Sequence, residues 1–379
     1  MTARRDHAPL VVVFAGGGTG GHIYPALALA EGLRARLGDG VAVHFVGSPR
    51  GLERDLVPRA GWPLHLIPAG GLLAPGLRAK LGGALRTVAG AAAAWRLLGR
   101  LGPDVVVGTG GYVSGPAGLA AVVRGVPLVL QEQNVWPGLA NRMLARWAAA
   151  VLVPFAEAAR HLPQARAVRV VGNPVRPDLL RLSRAEARRR LGLAEGWTVV
   201  LATGGSQGAP AINRLMAGAW PALAARPDVA VLWATGRRHH AAVRPLLEPA
   251  PDGSRLRVVE YFYEMDAALR AADVMVGRAG AMTCAEAVAV GLPALLVPSA
   301  HVAEDHQTKN ARYLAGQGAA VVVAEDRVEV DGPKTLMALV DDPVRRQAMS
   351  ARARALFRAD ALARAVDAIV DAATAGRRA

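Results

Sequence analysis

The chain has 379 residues with a formal net charge of +15, and 52% of its residues are hydrophobic, which is enough for two domains with full α/β cores. The basic excess favours phosphorylated ligands or an anionic membrane surface, whereas no basic stretch interleaved with aromatics indicates nucleic acid. The single cysteine, Cys284, excludes an internal disulfide and a cysteine metal cluster.

The first recognisable unit is a strand followed by a glycine loop. The apolar run Leu10–Phe14 predicts the strand, Gly16–His22 is the loop, and helix-forming residues come next. This order holds phosphate against the N–H groups of a helix start. The loop also matches the G-x-G-x-x-G of dinucleotide enzymes, but the second strand, Val41–Val46, ends without the acidic residue that binds NAD ribose. His22 is either a structural histidine or a candidate base or phosphate donor.

The region from Gly70 to Leu101 has apolar residues spaced by three and four, with basic residues between them. This pattern fits an amphipathic element at a membrane surface. It also fits an ordinary helix packed on a sheet with solvated arginines, and pattern alone slightly favours that alternative.

Strands alternate with helices along the chain, and the pattern restarts after Arg176. The thirteen predicted strands are Leu10–Phe14, Val41–Val46, Leu64–Ile67, Asp104–Val107, Val126–Leu130, Val151–Val153, Val168–Val171, Thr198–Thr203, Val229–Thr235, Arg255–Tyr261, Asp273–Gly277, Ala294–Val297 and Ala320–Val323. The alternation predicts an α/β fold of two Rossmann-like, doubly wound parallel-sheet domains facing across a cleft. We expect a first domain over residues 1–175, a second over 176–351, and a C-terminal helix from about 352 to 379 packing back on the first.

Glycine loops follow predicted strands in both halves, at Gly16–His22, Gly108–Pro116, Gly204–Ala209 and Gly277–Thr283. Four such loops indicate a diphosphate-bearing ligand. The chain has no G-x-x-x-x-G-K-[ST], which excludes a P-loop NTPase, and no Asp-x-Asp to hold a metal-bound diphosphate. We therefore expect no metal and no cofactor. Charge on a leaving diphosphate would be stabilised by helix N-termini and by Arg176 or Arg278.

A serine hydrolase is the alternative from another class. Gly204–Gly208 matches the G-x-S-x-G nucleophile elbow, and Asp273 and His301 follow in the order of a triad. An elbow would leave three glycine loops unexplained, and Ser206 fits equally well as a phosphate donor at a helix start. Glu286, about one turn into the helix after the fourth loop, either accepts ribose hydroxyls or is a solvated helix acid.

Six motifs together resemble a known family: Gly17–His22, Gly110–Pro116, Glu132–Asn134, Gly172–Arg176, Gly204–Ala209 and Gly280–Glu286. In this order they resemble the MurG family of bacterial peptidoglycan N-acetylglucosaminyltransferases, across essentially the whole chain. The resemblance implies a GT-B fold and an inverting, UDP-GlcNAc-dependent transfer of GlcNAc. The acceptor would be the MurNAc 4-hydroxyl of lipid I (undecaprenyl-diphosphate-linked MurNAc-pentapeptide), and the product lipid II. A related glycolipid glycosyltransferase or a binding protein of the same fold is the alternative.

The resemblance also implies residue roles at matching positions. An inverting transfer needs a base for the acceptor hydroxyl, and His22 and Glu132 are the candidates, with His22 preferred. Glu286 would hold the ribose, Phe262 would meet uracil through its backbone, and Gln307 would contact GlcNAc hydroxyls. The whole expected substrate-binding set is Thr19, Gly20, Gly21, Tyr112, Asn134, Arg176, Ser206, Gln207, Phe262, Arg278, Ala281, Met282, Thr283, Glu286 and Gln307. His306 stands where the family often has a second glutamine, which puts one sugar contact in doubt.

Partners and location follow from a lipid-linked acceptor. The Leu72–Trp95 region, with Arg78, Lys80 and Arg86, becomes a candidate docking face for an anionic inner membrane. No apolar run reaches the ~18 residues of a transmembrane helix, so a peripheral protein on the cytoplasmic face of the inner membrane is expected. The resemblance implies a role in cell-wall synthesis, and thus in cell shape and division, with other cell-wall enzymes as candidate partners.

Overall fold

The computed structural model describes residues 8–70, 77–205, 207–247, 255–299 and 302–378. The chain divides into two compact units. The first unit contains the residues up to Pro174 together with those from Arg358 onward, and the second unit is Val175–Phe357.

The first unit is built on a seven-stranded sheet in the order β3-β2-β1-β4-β5-β6-β7. Neighbouring strands are parallel throughout. The strands are β1 Leu10–Gly16, β2 Val41–Gly47, β3 Leu64–Leu66, β4 Val105–Gly110, β5 Leu128–Gln131, β6 Ala150–Val153 and β7 Val168–Val170. The helices between them are α1 Gly20–Leu37, α2 Glu53–Arg59, α3 Leu77–Leu101, α4 Gly111–Val123, α5 Leu139–Leu144 and α6 Ala156–Ala159.

The second unit has a six-stranded parallel sheet with the equivalent order, β10-β9-β8-β11-β12-β13. Its strands are β8 Thr198–Thr203, β9 Val229–Ala234, β10 Leu256–Val259, β11 Val274–Gly277, β12 Ala294–Leu296 and β13 Ala320–Val322. Its helices are α7 Pro177–Arg181, α8 Arg184–Arg190, α9 Pro210–Ala224, α10 His240–Val243, α11 Met265–Ala271, α12 Ala281–Val290, α13 His306–Gly316, α14 Val328–Val340 and α15 Pro343–Leu356. The predicted α/β fold of two Rossmann-like sheets is confirmed.

The strand order explains the four glycine loops. In each sheet the order reverses beside the first strand, between β1 and β4 in one unit and between β8 and β11 in the other. Doubly wound sheets bind ligands at the carboxyl ends of strands at this reversal. The four loops follow β1, β4, β8 and β11, so each reversal point is flanked by two of them.

Both sheets are apolar on both faces, because a parallel sheet is covered by helices on each side. In the first unit, Phe14 and Phe45 stack at 5.2 Å under α1, and alternate residues such as Val13 and Val106 face α3 and α4. These residues are at most 1% exposed. A rigid core of this kind fixes where the strand ends, and hence the loops, lie.

The C-terminal segment differs from the single helix expected from about 352 to 379. Helix α15 ends at Leu356 and a separate helix, α16, spans Ala361–Arg378. Phe357 caps α15 in an extended conformation and packs on the core of the second unit, which ends the helix there. Helix α16 belongs to the first unit, where Arg377 donates Nε to Asp104 Oδ1 at 2.8 Å.

Candidate functional site

A backbone hydrogen bond connects the two glycine loops of the first unit. Gly17 N donates to Gly110 O at 3.3 Å, which joins the end of β1 to the end of β4. Gly111 has a φ of +79°, and a Cβ there would lie 2.1 Å from Gly17 O. Glycine is therefore required at 111 both by conformation and by this close approach.

His22 lies in the first turn of α1, beside this junction. Its Nδ1 is 3.1 Å from Thr109 O and 3.3 Å from Gln133 Oε1. The Gln133 amide is oriented by its Nε2, which donates to Thr109 O at 3.0 Å and to Gln131 O at 2.9 Å. Both atoms that face Nδ1 are thus acceptors, so Nδ1 carries the proton. In the neutral ring the basic lone pair is on Nε2, the nitrogen that a general base would use.

Glu132 is 1% exposed, and its carboxylate accepts five hydrogen bonds. The donors are Gln133 N at 2.9 Å, Asn134 N at 2.8 Å, Asn134 Nδ2 at 3.0 Å, Gly138 N at 2.9 Å and Asn141 Nδ2 at 2.8 Å. Five donors fill the acceptor sites that two carboxylate oxygens offer. Glu132 therefore shapes the segment that carries Gln133 and Asn134.

The remaining expected residues of the first unit lie around α1 and α4. Thr19 is the N-cap of α1 and makes no side-chain capping bond within the described chain, so it leaves the N–H groups of Gly20 and Gly21 uncapped. Tyr112, in the first turn of α4, is 59% exposed. Asn134 is 9% exposed and is held by Glu132.

Glu53 was not singled out as a site residue by the sequence analysis, yet it supports the first glycine loop. It is fully buried at the start of α2 and accepts from Gly18 N, Ser48 N and Ser48 Oγ, each at 2.8 Å. Because the Gly18 N–H is directed inward to Glu53, an anion at this loop would meet the amides of α1 rather than that of Gly18. The only sequence signal was an acidic residue after β2, in the wrong place for a ribose-binding acid.

In the second unit, α12 begins in the fourth glycine loop, where the sequence predicts an anion site. Its N-cap is Gly280, which has no side chain to satisfy the N–H groups of Ala281, Met282 and Thr283. Met282 is 9% exposed and Phe262 is 4% exposed, with both side chains in the core. These two positions therefore offer a ligand mainly their backbone groups.

Glu286 lies one turn further along α12, three residues after Thr283. Its side chain is 18% exposed, and Arg176 Nη2 lies 3.5 Å from its Oε1. Burial raises the pKa of the Glu286 carboxyl, and Arg176 opposes that rise. The carboxylate is thus weakly paired, which suits an acceptor for neutral hydroxyl groups.

Arg278 and Gln307 have partners within the second unit. Arg278 donates Nη1 to Val297 O at 3.0 Å and Nη2 to Glu325 Oε1 at 2.6 Å, so its charge is already compensated. Gln307 Oε1 accepts from Ser299 N at 2.9 Å, which orients its amide. Gln207 is exposed in the third glycine loop, whereas Ser206 lies outside the described residues.

Backbone strain marks the segment before Gln307. Glu304 and Asp305 have φ values of +57° and +51°, in the left-handed region that side-chain-bearing residues rarely adopt. Asp305 Oδ1 accepts from Thr308 Oγ1 at 2.5 Å and Glu304 O from Lys309 Nζ at 3.0 Å, which hold this conformation. Strain of this kind concentrates at functional sites, and nothing in the sequence signalled it.

The serine hydrolase alternative is incompatible with the second sheet. Asp273 precedes β11, at the amino-terminal edge, and its carboxylate is bound by Arg184 and Arg188. The G-x-S-x-G loop follows β8, at the opposite edge. Asp273 therefore cannot complete a triad with a residue of that loop.

Comparison with known proteins identifies the family and the fold class. The models of the glycosyltransferase family 28 N-terminal domain and C-terminal domain match residues 12–153 and 199–365. The structure is also similar to the crystal structure of Acinetobacter baumannii MurG, with a TM-score of 0.76 and 30% identity over 96% of this chain and all of that one. The protein is thus a glycosyltransferase of the GT-B type.

Two curated relatives narrow the class. The chain is 43% identical to proteins from Desulforudis audaxviator, over 97% of this chain and 100% of the relative, and from Salinibacter ruber, over 98% and 99%. Both are named UDP-N-acetylglucosamine–N-acetylmuramyl-(pentapeptide) pyrophosphoryl-undecaprenol N-acetylglucosamine transferase. The chain belongs to this family of hexosyltransferases of peptidoglycan synthesis.

Proposed function

We propose that this chain transfers GlcNAc from UDP-GlcNAc to lipid I, the donor and acceptor in its relatives' names, and that the acceptor atom is the MurNAc 4-hydroxyl, with His22 as the general base. The observation that carries the residue assignment is the orientation of the His22 ring. Thr109 O and Gln133 Oε1 both face Nδ1, which leaves Nε2 as the basic nitrogen.

In this mechanism the acceptor 4-hydroxyl oxygen forms a bond to C1 of the donor sugar. The bond from C1 to the β-phosphate oxygen breaks, UDP leaves with that electron pair, and the hydroxyl proton moves to His22 Nε2. Glu132 acts as a positioning residue, because its carboxylate is filled by five N–H donors. The amides of Thr19, Gly20 and Gly21 bind an anionic or sugar oxygen at the start of α1.

The donor residues of the proposal lie in the second unit. Glu286 accepts from the ribose hydroxyls, since its carboxylate is only weakly paired with Arg176. The N–H groups at the start of α12 bind the diphosphate, and Arg176, 42% exposed, is positioned to add charge. Arg278 supports the site indirectly through Val297 O and Glu325.

The assay that tests this function incubates the full chain with labelled UDP-GlcNAc and a lipid I analogue. A labelled disaccharide and one UDP per disaccharide are expected. UDP released without disaccharide would instead mean hydrolysis of the donor. A matched incubation with a diphosphate-linked glycolipid that lacks MurNAc separates a lipid I enzyme from a general glycolipid transferase.

The proposal includes membrane docking through α3. Among the described residues of α3, Leu85, Val88 and Trp95 are 72%, 69% and 47% exposed, and their spacing puts them on one side of the helix. The Arg124 guanidinium stacks 4.2 Å from the Trp95 ring. Residues 71–76 of the predicted face, and the side chains of Arg78 and Lys80, lie outside the described part of the chain.

Exposed apolar side chains beside cations favour the interface of an anionic bilayer. No helix in the described part of the chain is long and apolar enough to span a membrane. This exposed apolar face and a lipid-linked acceptor support a peripheral location on the inner membrane, which we propose is its cytoplasmic face, with other cell-wall enzymes as candidate partners. Co-sedimentation with phosphatidylglycerol vesicles should fall severalfold in Leu85→Gln/Val88→Gln. Vesicle binding should not fall in the control variant Val330→Gln, because the Val330 side chain is 52% exposed but lies in the second unit. Equal binding by the wild type and both variants would contradict membrane docking through α3.

A further inference from the structure

A pocket of about 410 Å³ lies at the amino-terminal edge of the second sheet. Its floor includes Ala272 and Asp273, just before β11, and Leu292 and Pro293, just before β12. The proposed donor-binding residues follow the same strands at the other edge. A four-residue strand spans roughly 13 Å, so the pocket is separate from the donor site.

The pocket has a strong excess of positive charge. Its lining includes the arginines Arg184, Arg270, Arg346 and Arg354, against the single carboxylate of Asp273. That carboxylate already has its partners, since Arg184 Nη2 donates to Oδ1 at 2.5 Å and Arg188 Nη2 donates to Oδ2 at 2.8 Å. Asp273 therefore does not neutralise the other three arginines.

Backbone carbonyls hold two of these arginines in place. Arg270 donates Nε to Leu182 O at 2.6 Å. Arg346 donates Nη1 to Leu339 O at 2.6 Å and to Val340 O at 2.5 Å. A carbonyl oxygen orients a guanidinium without cancelling its charge, so these groups are positioned but not neutralised.

Arg354 completes the cluster from α15. Its side chain packs directly against Gly291, so that a Cβ added to Gly291 would lie 2.4 Å from Arg354 Nε. Arg354 makes no ion pair among the described residues. Burial lowers the pKa of Arg270, and repulsion from Arg354 and Arg184 lowers it further. Arginine stays charged nonetheless, so the repulsion persists until an anion relieves it.

We propose that this pocket binds a phosphate-bearing small molecule, with Arg184, Arg270, Arg346 and Arg354 around the phosphate oxygens. The planar guanidinium fork matches the geometry of phosphate, which favours phosphate over a monovalent anion. The volume lies in the range of small-molecule sites, and Ser350 in the lining adds a hydroxyl. At least two negative charges are needed to balance the cluster, which points to a diphosphate or a nucleotide.

Calorimetric titration of the full chain with inorganic pyrophosphate tests the proposal, and Arg354 separates this pocket from the donor site because it lines the pocket and is not among the proposed donor-binding residues. Arg354→Ala should weaken binding at least about tenfold, because a charge-assisted hydrogen bond is lost. The matched control is Arg352→Ala, which removes the same charge from the same helix but lies outside the pocket lining. Binding by the control should stay within about twofold of wild type. Arg354 is exposed, so the variant should fold, and an unchanged melting temperature verifies this.

Three results would overturn the proposal. The first is that the wild-type protein binds no pyrophosphate at millimolar concentration. The second is an equal loss of pyrophosphate affinity in Arg354→Ala and in the control Arg352→Ala, which would mean that binding depends on overall positive charge and not on the pocket. The third comes from vesicles of phosphatidylglycerol: if Arg354→Ala reduces vesicle binding and leaves pyrophosphate binding intact, the cluster is a membrane contact. Loss of pyrophosphate binding with unchanged vesicle binding assigns the site to a soluble ligand.

Discussion

The two units share one strand order but differ in the hydrogen bonding of the polar groups at the carboxyl ends of their strands. In the first unit eight polar side chains are at most 9% exposed: Glu53, Thr109, Ser114, Gln131, Glu132, Gln133, Asn134 and Asn141. Hydrogen bonds join His22, Gln133 and Glu132 into a network at this edge. In the second unit the start of α12 has N–H groups without a capping side chain, and Glu286 is weakly paired. With the same topology, the first unit therefore uses internal hydrogen bonds to orient the His22 ring. The second unit leaves backbone N–H groups and a carboxylate available to a ligand.

The largest expected effect tests the role of the first network. His22→Ala should lower kcat by at least about 10²-fold, because the general base for the acceptor proton is removed. Turnover is measured as disaccharide formed at saturating concentrations of both substrates. A loss smaller than tenfold would contradict the assignment and leave substrate orientation as the main source of rate.

A matched pair of glycines compares the two edges directly. Gly111 and Gly205 both have a φ of +79°, but a Cβ at Gly111 would overlap Gly17 O, whereas a Cβ at Gly205 meets nothing within 4 Å. Gly111→Ala should destabilise the protein by roughly 3 kcal/mol, from backbone strain plus overpacking, and Gly205→Ala by only about 1 kcal/mol. Urea unfolding measures both, and equal losses would mean that the junction of the two loops is not tight.

Glu132→Gln separates a positioning role from a catalytic one. The amide nitrogen of glutamine would face N–H donors, so at least one hydrogen bond is lost in a buried site, costing about 2 kcal/mol of stability. The control, Glu157→Gln, removes a surface ion pair with Arg160 and should cost under about 0.5 kcal/mol. Thermal unfolding is the measurement. Unchanged stability together with a kcat loss as large as that of His22→Ala would make Glu132 the base.

The smallest effect concerns the second unit. Glu286→Gln should raise the KM for UDP-GlcNAc about tenfold and change kcat little, because a charge-assisted hydrogen bond to the ribose is lost. Burial raises the pKa of Glu286, so the wild-type carboxylate protonates at a higher pH than an ordinary glutamate. Wild-type KM should therefore rise as pH falls through that range, while the variant's KM stays flat. Parallel profiles would contradict a ribose contact.

Stability provides an independent check on Glu286. Its folded pKa lies above the unfolded value, so the folded state binds more protons between the two values. The stability of the wild type relative to Glu286→Gln should consequently fall as pH rises from the ordinary glutamate range, near about 4.3, through the raised pKa. Urea unfolding of both proteins across this range measures the difference.

The strands were predictable because each is a short apolar run next to a glycine loop or turn. All thirteen strands in the described chain match predicted runs, and the restart after Arg176 anticipated a second sheet. An apolar run bounded by turn residues can be recognised from neighbouring residues alone, because the spacing of its apolar residues follows the geometry of the strand.

The site contacts were less predictable because they join residues distant in sequence. Glu53 binds an amide 35 residues away, and Gln133 orients a ring 111 residues away. Arg278, which the sequence analysis expects at the diphosphate, is bound to Glu325, 47 residues further on. Residue type and spacing identify which groups have suitable chemistry, but only the packed structure shows which of them already have partners.

The return of α16 to the first unit has a consequence for synthesis of the protein. Ala365, Val366 and Ile369 are at most 2% exposed and belong to the same apolar cluster as Phe14. The ribosome synthesises these residues after the whole second unit, Val175–Phe357. The second unit is continuous in sequence and can close during translation. The first unit must wait with an open core until α16 emerges, so its folding is completed only after the second unit has been synthesised.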